Sequence, residues 1–209
     1  MALSTQYDPI FRRHAGRLPV AYLRALAAKE SGFNPQAAAS SSENAARGLL
    51  QIVGVARVDY NQRHGTNYSS QDLFDPNINV AIGADLLQRI VSYLGRHPSK
   101  NLHEDWHNPE FVKLLTAGWN AGFSDSGGVG RVASYLEAQR AAVTHDAVYD
   151  SAAAAGAVSA LQNPARAAWQ RGVADLYYQQ PDRFDTGGRF VTLLLVVLAG
   201  WGTYQVLRS

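Results

Sequence analysis

Cysteine is missing from all 209 residues, so the fold has no disulfide staples and any nucleophilic chemistry must proceed without a thiol. That absence leaves the compartment open, because many exported proteins also lack cysteine. A dominant charge is missing too. Nineteen Lys and Arg stand against 17 Asp and Glu, and the basic residues form no run, which argues against a nucleic-acid surface. Met1 to Arg17 is polar and carries Arg12, Arg13 and Arg17 with no apolar stretch behind them, so no secretory signal is expected there. What remains is a chain long enough for one well-cored domain plus an appendage.

The most informative stretch is Glu30-Ser31-Gly32-Phe33-Asn34-Pro35. The pattern from Leu18 to Ser31 is helical, with Pro19 near the first turn and Gly32 available for the left-handed turn that ends a helix. Leu23, Leu26 and Ala27 share a helix face with residue 30, which aims the Glu30 carboxylate where a core side chain would point. Apolar neighbours and the negative end of the helix dipole both disfavour the ionised form and should raise its pKa, as a general acid requires. The competing reading is a surface residue on a frayed helix end.

Further along, Asp75-Pro76 caps and starts a helix whose apolar stripe, Ile78, Ile82, Leu86 and Ile90, runs to Gly95 and reads as scaffold. Another helix is expected from Pro109, with Phe111, Leu114, Leu115, Gly118 and Gly122 on one face. The two glycines would let a helix or ligand approach closely. Ser124 to Gly130 is a Gly-rich turn with no preceding strand and no following Lys-Ser or Lys-Thr, so it does not read as a phosphate loop. Val132, Tyr135 and Leu136 then begin the last helix of the domain.

His103-Glu104-Asp105-Trp106-His107 matches the His-Glu-x-x-His pattern of zinc proteases, which needs both histidines on one helix face. Pro98-Ser99 and Asn108-Pro109 flank it, so a loop with solvated histidines is expected instead.

Beyond Thr144 the composition turns alanine-rich, with a break at Asn163-Pro164 and a flexible joint at Asp185-Thr186-Gly187-Gly188. Phe190 to Leu207 holds no charge over 18 residues. At 1.5 Å each that is roughly 27 Å, close to bilayer thickness, with Trp201 and Tyr204 as interface anchors. A C-terminal helix buried against the domain is the alternative.

Four motifs in order, Glu30-Ser31-Gly32-Phe33-Asn34-Pro35, Gly48-Leu49-Leu50-Gln51-Ile52, Leu73-Phe74-Asp75-Pro76-Asn77-Ile78-Asn79 leading to Gly83, and Gly118-Trp119-Asn120-Ala121-Gly122, make residues 15–145 resemble the SLT-type (family 1) lytic transglycosylases. That family has a goose-lysozyme-like fold. The resemblance implies an all-α transglycosylase domain over 1–145, and the composition beyond it points to a helical spacer over 146–188 and a transmembrane helix over 189–209. The resemblance also implies cleavage of the MurNAc-β-1,4-GlcNAc bond of peptidoglycan with formation of a 1,6-anhydro-MurNAc end, without metal or cofactor. Glu30 would be the sole catalytic carboxylate. Ser31, Gly48, Gln51, Trp119 and Asn120 would bind the glycan: Gly48 by letting backbone approach a sugar, Gln51 by offering a donor and an acceptor, and Ser31 by bonding near Glu30 or the N-acetyl group.

Two departures stand out. Val53-Gly54 replaces the usual Met-Pro, and Trp119 replaces a tyrosine whose hydroxyl helps position the glutamate, which makes a plain core role for Trp119 the alternative. A lysozyme-like hydrolase would need a positioned water or a second carboxylate, for which Asp59, Asp72 and Asp75 are the nearby candidates, and a non-catalytic peptidoglycan-binding conduit protein is a further alternative. A wall substrate beside an apolar C-terminus suggests a bacteriophage virion protein that opens the wall during genome entry, with residues 190–207 seated in a membrane or protein conduit. A secretion or conjugation apparatus is the alternative location.

Overall fold

The computed structural model describes residues 3–96, 102–124, 127–150 and 164–185. These residues form α1 (Asp8–His14), α2 (Val20–Glu30), α3 (Gly54–His64), a 3-10 turn over Asp72–Phe74, α4 (Pro76–Arg96), α5 (Pro109–Ala121), α6 (Gly128–Ala138), α7 (His145–Asp150) and α8 (Pro164–Tyr178). The extended pairing consists of isolated bridges, such as Ala38 with Arg47, and the two-residue strand Phe123–Ser124 paired with Gly128 and Gly127. The all-α expectation holds for the described residues.

The core is assembled around α2. Every residue from Val20 to Ala27 is buried, the mark of a helix covered on all sides rather than on one stripe. It ends as the sequence predicts, with Glu30 its last residue and Gly32 at φ +60°. Tyr22 on α2 and Thr116 on α5, both fully buried, join their hydroxyls at 3.0 Å and so set one helix against the other. The long α4 begins at Pro76, where the Asp75 carboxylate accepts from the Asn77 N–H at 2.7 Å. Its stripe is only partly core: Ile82 and Ile90 are buried, whereas Ile78 and Leu86 are half-buried.

A charge lies within this apolar helix. Arg24, 3 % exposed, meets Asp8 at 2.6 Å and Asp182 at 3.0 Å and also donates to Gln180. A buried guanidinium is tolerable only when its donors are met this fully. The pairing draws α1 and the segment after α8 onto the same side of α2.

The sequence reading is corrected most at the C-terminal side. α6 is not the last helix of the domain, and residues 164–185 do not stand off as a spacer. α8 packs on α2 and α5, burying Val173, Ala174 and Tyr177. Tyr177 meets Tyr22 and Trp106 with ring centroids 6.2 and 5.9 Å apart. Asp185, expected in a flexible joint, is 6 % exposed, pairs with Arg12 at 2.5 Å and accepts from the Val20 N–H at 3.0 Å. The expected hydrophobic helix over 190–207 lies outside the described residues. Among those described, no helix is long and apolar enough to cross a membrane.

Candidate active site

The site forms where the end of α2 meets the loop Arg47–Ile52. Leu49, Leu50 and Ile52 are buried and anchor the loop, while Gln51 is held half-open between them. Backbone bonds lock the turn: Gly48 N–H to Ala37 O at 2.8 Å, Gln51 N–H to Gly48 O at 3.1 Å and Ile52 N–H to Arg47 O at 2.9 Å. Asn79 from α4, with no exposed surface, completes it. Its Oδ1 accepts from the Leu50 N–H at 2.7 Å, and its Nδ2 donates to Arg47 O and Leu73 O, both at 2.8 Å. The sequence reading passed over Asn79 as a functional residue. A polar residue amid the apolar positions of α4 was the available signal.

Two of the expected glycan contacts, Gly48 and Ser31, also build this scaffold. Gly48 lies at φ +76°, and a Cβ there would sit 2.1 Å from Leu73 O and 2.3 Å from Asn79 Nδ2. The press of the loop on Leu73 and on Asn79 of α4 excludes a side chain there. The Ser31 hydroxyl donates to Leu49 O at 2.8 Å and to Ala27 O at 3.3 Å, stitching the end of α2 to the loop rather than reaching Glu30. Neither residue lines the cleft.

Gln51 does line it. Its backbone is left-handed at φ +49°, a conformation that costs a non-glycine residue about 1 kcal/mol and tends to persist at functional sites. Its Nε2 donates to Ala37 O at 3.1 Å and Gly48 O at 2.9 Å, which orients the side chain and leaves Oε1 as the atom offered to a ligand.

The opposite wall comes from α5. Gly118 lets α5 close on α4, since a Cβ there would stand 2.9 Å from Ile90 Cγ2. With that approach the Trp119 indole N–H donates to Glu30 Oε1 at 2.6 Å. The contact left uncertain by the tyrosine-to-tryptophan replacement is therefore made, by a group that donates and cannot accept. Burial pushes the Glu30 carboxyl from its ordinary 4.5 up to about 7, with the indole bond pulling the other way.

Glu30, Gln51, Trp119 and Asn120 meet in one cleft of about 310 Å³ whose apolar floor includes Ile52 and Leu86. Among the described residues, Glu30 is the only titratable group lining it. Asp59 is engaged by Arg63 and Arg89, Asp72 by Ser69, and Asp75 by the Asn77 N–H. A larger hollow of about 430 Å³ lies over α4, lined by Arg96 and by two charges engaged in ion pairs, Asp85 with Arg63 and Arg89 with Asp59.

The His103–His107 segment is irregular, so the one-face register of a zinc helix does not arise. Glu104 accepts from the Trp106 indole at 2.6 Å and faces Arg17, while His107 stacks on Phe184. Among the described residues no three metal-ligating side chains are grouped.

A carboxyl pushed up to about 7 at the end of a buried helix, facing a groove walled by helices, is the arrangement of a lysozyme-like fold. Residues 10–139 match the transglycosylase SLT domain, and the chain belongs to that family. Among solved structures it is similar to the 70 kDa soluble lytic transglycosylase of Escherichia coli, with TM-score 0.60 and 23% identity over 88% of this chain and 26% of that one. The complex of the 70-kDa soluble lytic transglycosylase with bulgecin A gives TM-score 0.57 and 24% identity over 84% of this chain and 24% of that one. An inactive mutant of the lytic transglycosylase Slt of Pseudomonas aeruginosa gives TM-score 0.57 and 17% identity over 86% and 26%. At such identities the likeness concerns the fold, and the chain spans about a quarter of the length of these proteins. No curated protein matches it.

Proposed function

We propose that the chain is a peptidoglycan lytic transglycosylase that cleaves the MurNAc-β-1,4-GlcNAc bond and leaves a 1,6-anhydro-MurNAc end. The observation that carries the reading is the Glu30 carboxyl, pushed up to about 7 and the only titratable group among the described residues lining the cleft. Family membership and structural relatives described as lytic transglycosylases support it.

The chemistry follows from that single group. Neutral Glu30 protonates the glycosidic oxygen as the bond to the muramoyl C1 breaks, and the cationic centre is stabilised by the substrate's own N-acetyl group. Glu30, now ionised, takes the proton of the sugar's C6 hydroxyl as that oxygen closes on C1. The bond broken is replaced by one formed, no water is consumed, and Glu30 ends protonated again. The Trp119 indole can only donate, so Oε1 stays an acceptor throughout and the travelling proton is carried on Oε2. Gln51 and Asn120 orient the glycan.

Digestion of purified sacculi with wild type and Glu30→Gln, followed by weighing of the muropeptides, tests this. Wild type should yield products lighter by one water than hydrolytic ones, and the variant should lose nearly all cleavage. Hydrated ends would make the protein a lysozyme-like hydrolase, and cleavage persisting in the variant would remove Glu30 from the chemistry.

The proposal extends to location: a wall-opening enzyme carried by a bacteriophage particle and used during genome entry, seated through residues 190–207 in a membrane or conduit. The wall substrate and the uncharged run over 190–207 support it. Mass spectrometry of purified particles should find the protein, and its presence only in uninfected cells would refute the placement in favour of a secretion or conjugation apparatus.

A further inference from the structure

α8 lies outside the residues that carry the family match, 10–139, yet it reaches both lips of the cleft. Trp169 donates its indole N–H to Lys29 O at 3.4 Å, on the last turn of α2 beside Glu30. Gln170, with no exposed surface, donates from Nε2 to Asn120 Oδ1 at 3.3 Å and accepts at Oε1 from the Tyr149 hydroxyl at 3.2 Å. Asn120 itself is exposed at the cleft.

A carboxamide turned by half a rotation about its last bond exchanges donor for acceptor while keeping its shape. An exposed asparagine can therefore offer a ligand either group. In the structure the bonds run one way: the Tyr149 hydroxyl donates to Gln170 Oε1, Gln170 donates from Nε2 to Asn120 Oδ1, and the Asn120 Nδ2 is left for the cleft.

We infer that Tyr149, Gln170 and Asn120 form a relay that fixes Asn120 as a hydrogen-bond donor toward the glycan, selecting a ring substituent that accepts there, such as an acetamido carbonyl. A free amino sugar, whose ammonium only donates, is disfavoured at this position. Tyr149 and Gln170 are positioning residues acting through Asn120. The inference rests on the cleft being a glycan site, as proposed above, and it makes the C-terminal segment part of that site.

The test needs no cleavage. In the full chain carrying Glu30→Gln, calorimetry measures binding of chitotetraose and of its de-N-acetylated counterpart, and NMR follows the Asn120 side-chain NH₂ signal, assigned by its loss in Asn120→Asp. Adding Gln170→Met keeps the volume but removes the donor. Chitotetraose binding should weaken about tenfold, the worth of one neutral hydrogen bond, the preference over the deacetylated oligomer should shrink, and the Asn120 signal should move. Tyr149→Phe, which removes only a hydroxyl, should give a smaller loss and the same direction of signal change. The pair together should be no worse than Gln170→Met alone, because members of one relay are not additive.

An unmoved Asn120 signal with unchanged affinity in both variants would overturn the relay. Should Gln170→Met fail to fold, Tyr149→Phe decides by the same readouts. Failure of the sacculus digestion would refute the enzymatic reading and leave the Asn120 signal to judge the relay independently.

Discussion

Replacing Glu30 by glutamine should stabilise the protein in mild alkali while leaving it almost unaffected in acid. The folded carboxyl is pushed up to about 7, while in the unfolded chain it returns to 4.5. Below pH 4 both states hold the proton, and the group adds no pH dependence. Between 4.5 and 7 the unfolded chain has released its proton and the folded one has not. The unfolded state then binds fewer protons, so stability falls as pH rises. Over that window, at about 1.4 kcal/mol per pH unit, roughly 3 kcal/mol is lost, and the loss levels off once the folded carboxyl has also ionised. Glutamine has nearly the same shape and no charge to desolvate, so Glu30→Gln should escape the decline. Apart from a small constant offset, the two proteins should agree at pH 4 and differ by about 3 kcal/mol at pH 8, or roughly 6–12 °C in Tm for a domain of this size. Urea and thermal unfolding at pH 4, 5.5, 7 and 8 measure the gap. Parallel curves for the two proteins would show that Glu30 is not held in a desolvated site, and the acid role proposed for it would fall with that result.

Trp119→Phe removes the N–H that favours the ionised carboxylate, so the alkaline fall of kcat/KM, expected near pH 7 in wild type, should move to higher pH. A charge-assisted bond worth about 1.5 kcal/mol corresponds to about one pH unit. The plateau below it should drop as Glu30 loses its orientation. A pH–rate profile whose alkaline limb stays put would refute the role given to the indole. Gly48→Ala should cost 3 kcal/mol or more or prevent folding, since it puts a Cβ 2.1 Å from Leu73 O at a left-handed residue. Denaturant midpoints check this, and wild-type stability would disprove the close approach of Gly48 to Leu73 and Asn79.

The position of Glu30 was legible because it depends on local information: helical phase from Leu23 to Ala27, a proline at the start and a glycine after the end. Trp119 was flagged by its place in a motif, but its bond to Glu30 depends on how far α5 can sink toward α4, which Gly118 and Ile90 decide in three dimensions. Gly48 and Ser31 are read toward the glycan as parts of their motifs, and each also makes a contact that sequence spacing does not reveal, with Asn79 in one case and Leu49 O in the other. Residues 164–178 read as spacer because alanine dominates the stretch before them. The spacing Trp169, Val173, Tyr177 did carry the periodicity of a core-facing helix, and weighing it would have brought Gln170 within reach of the site.

The Arg24 cluster has a mechanical consequence. Asp8 near one end of the folded unit and Asp182 near the other are held by the same guanidinium, with Arg12 and Asp185 bound alongside. Six residues of helix, about 9 Å, separate Arg24 from Glu30 along α2. A pull between α1 and the segment after α8 would therefore act on that one knot of charges as shear, about a turn and a half of helix away from the groove at the far end of α2.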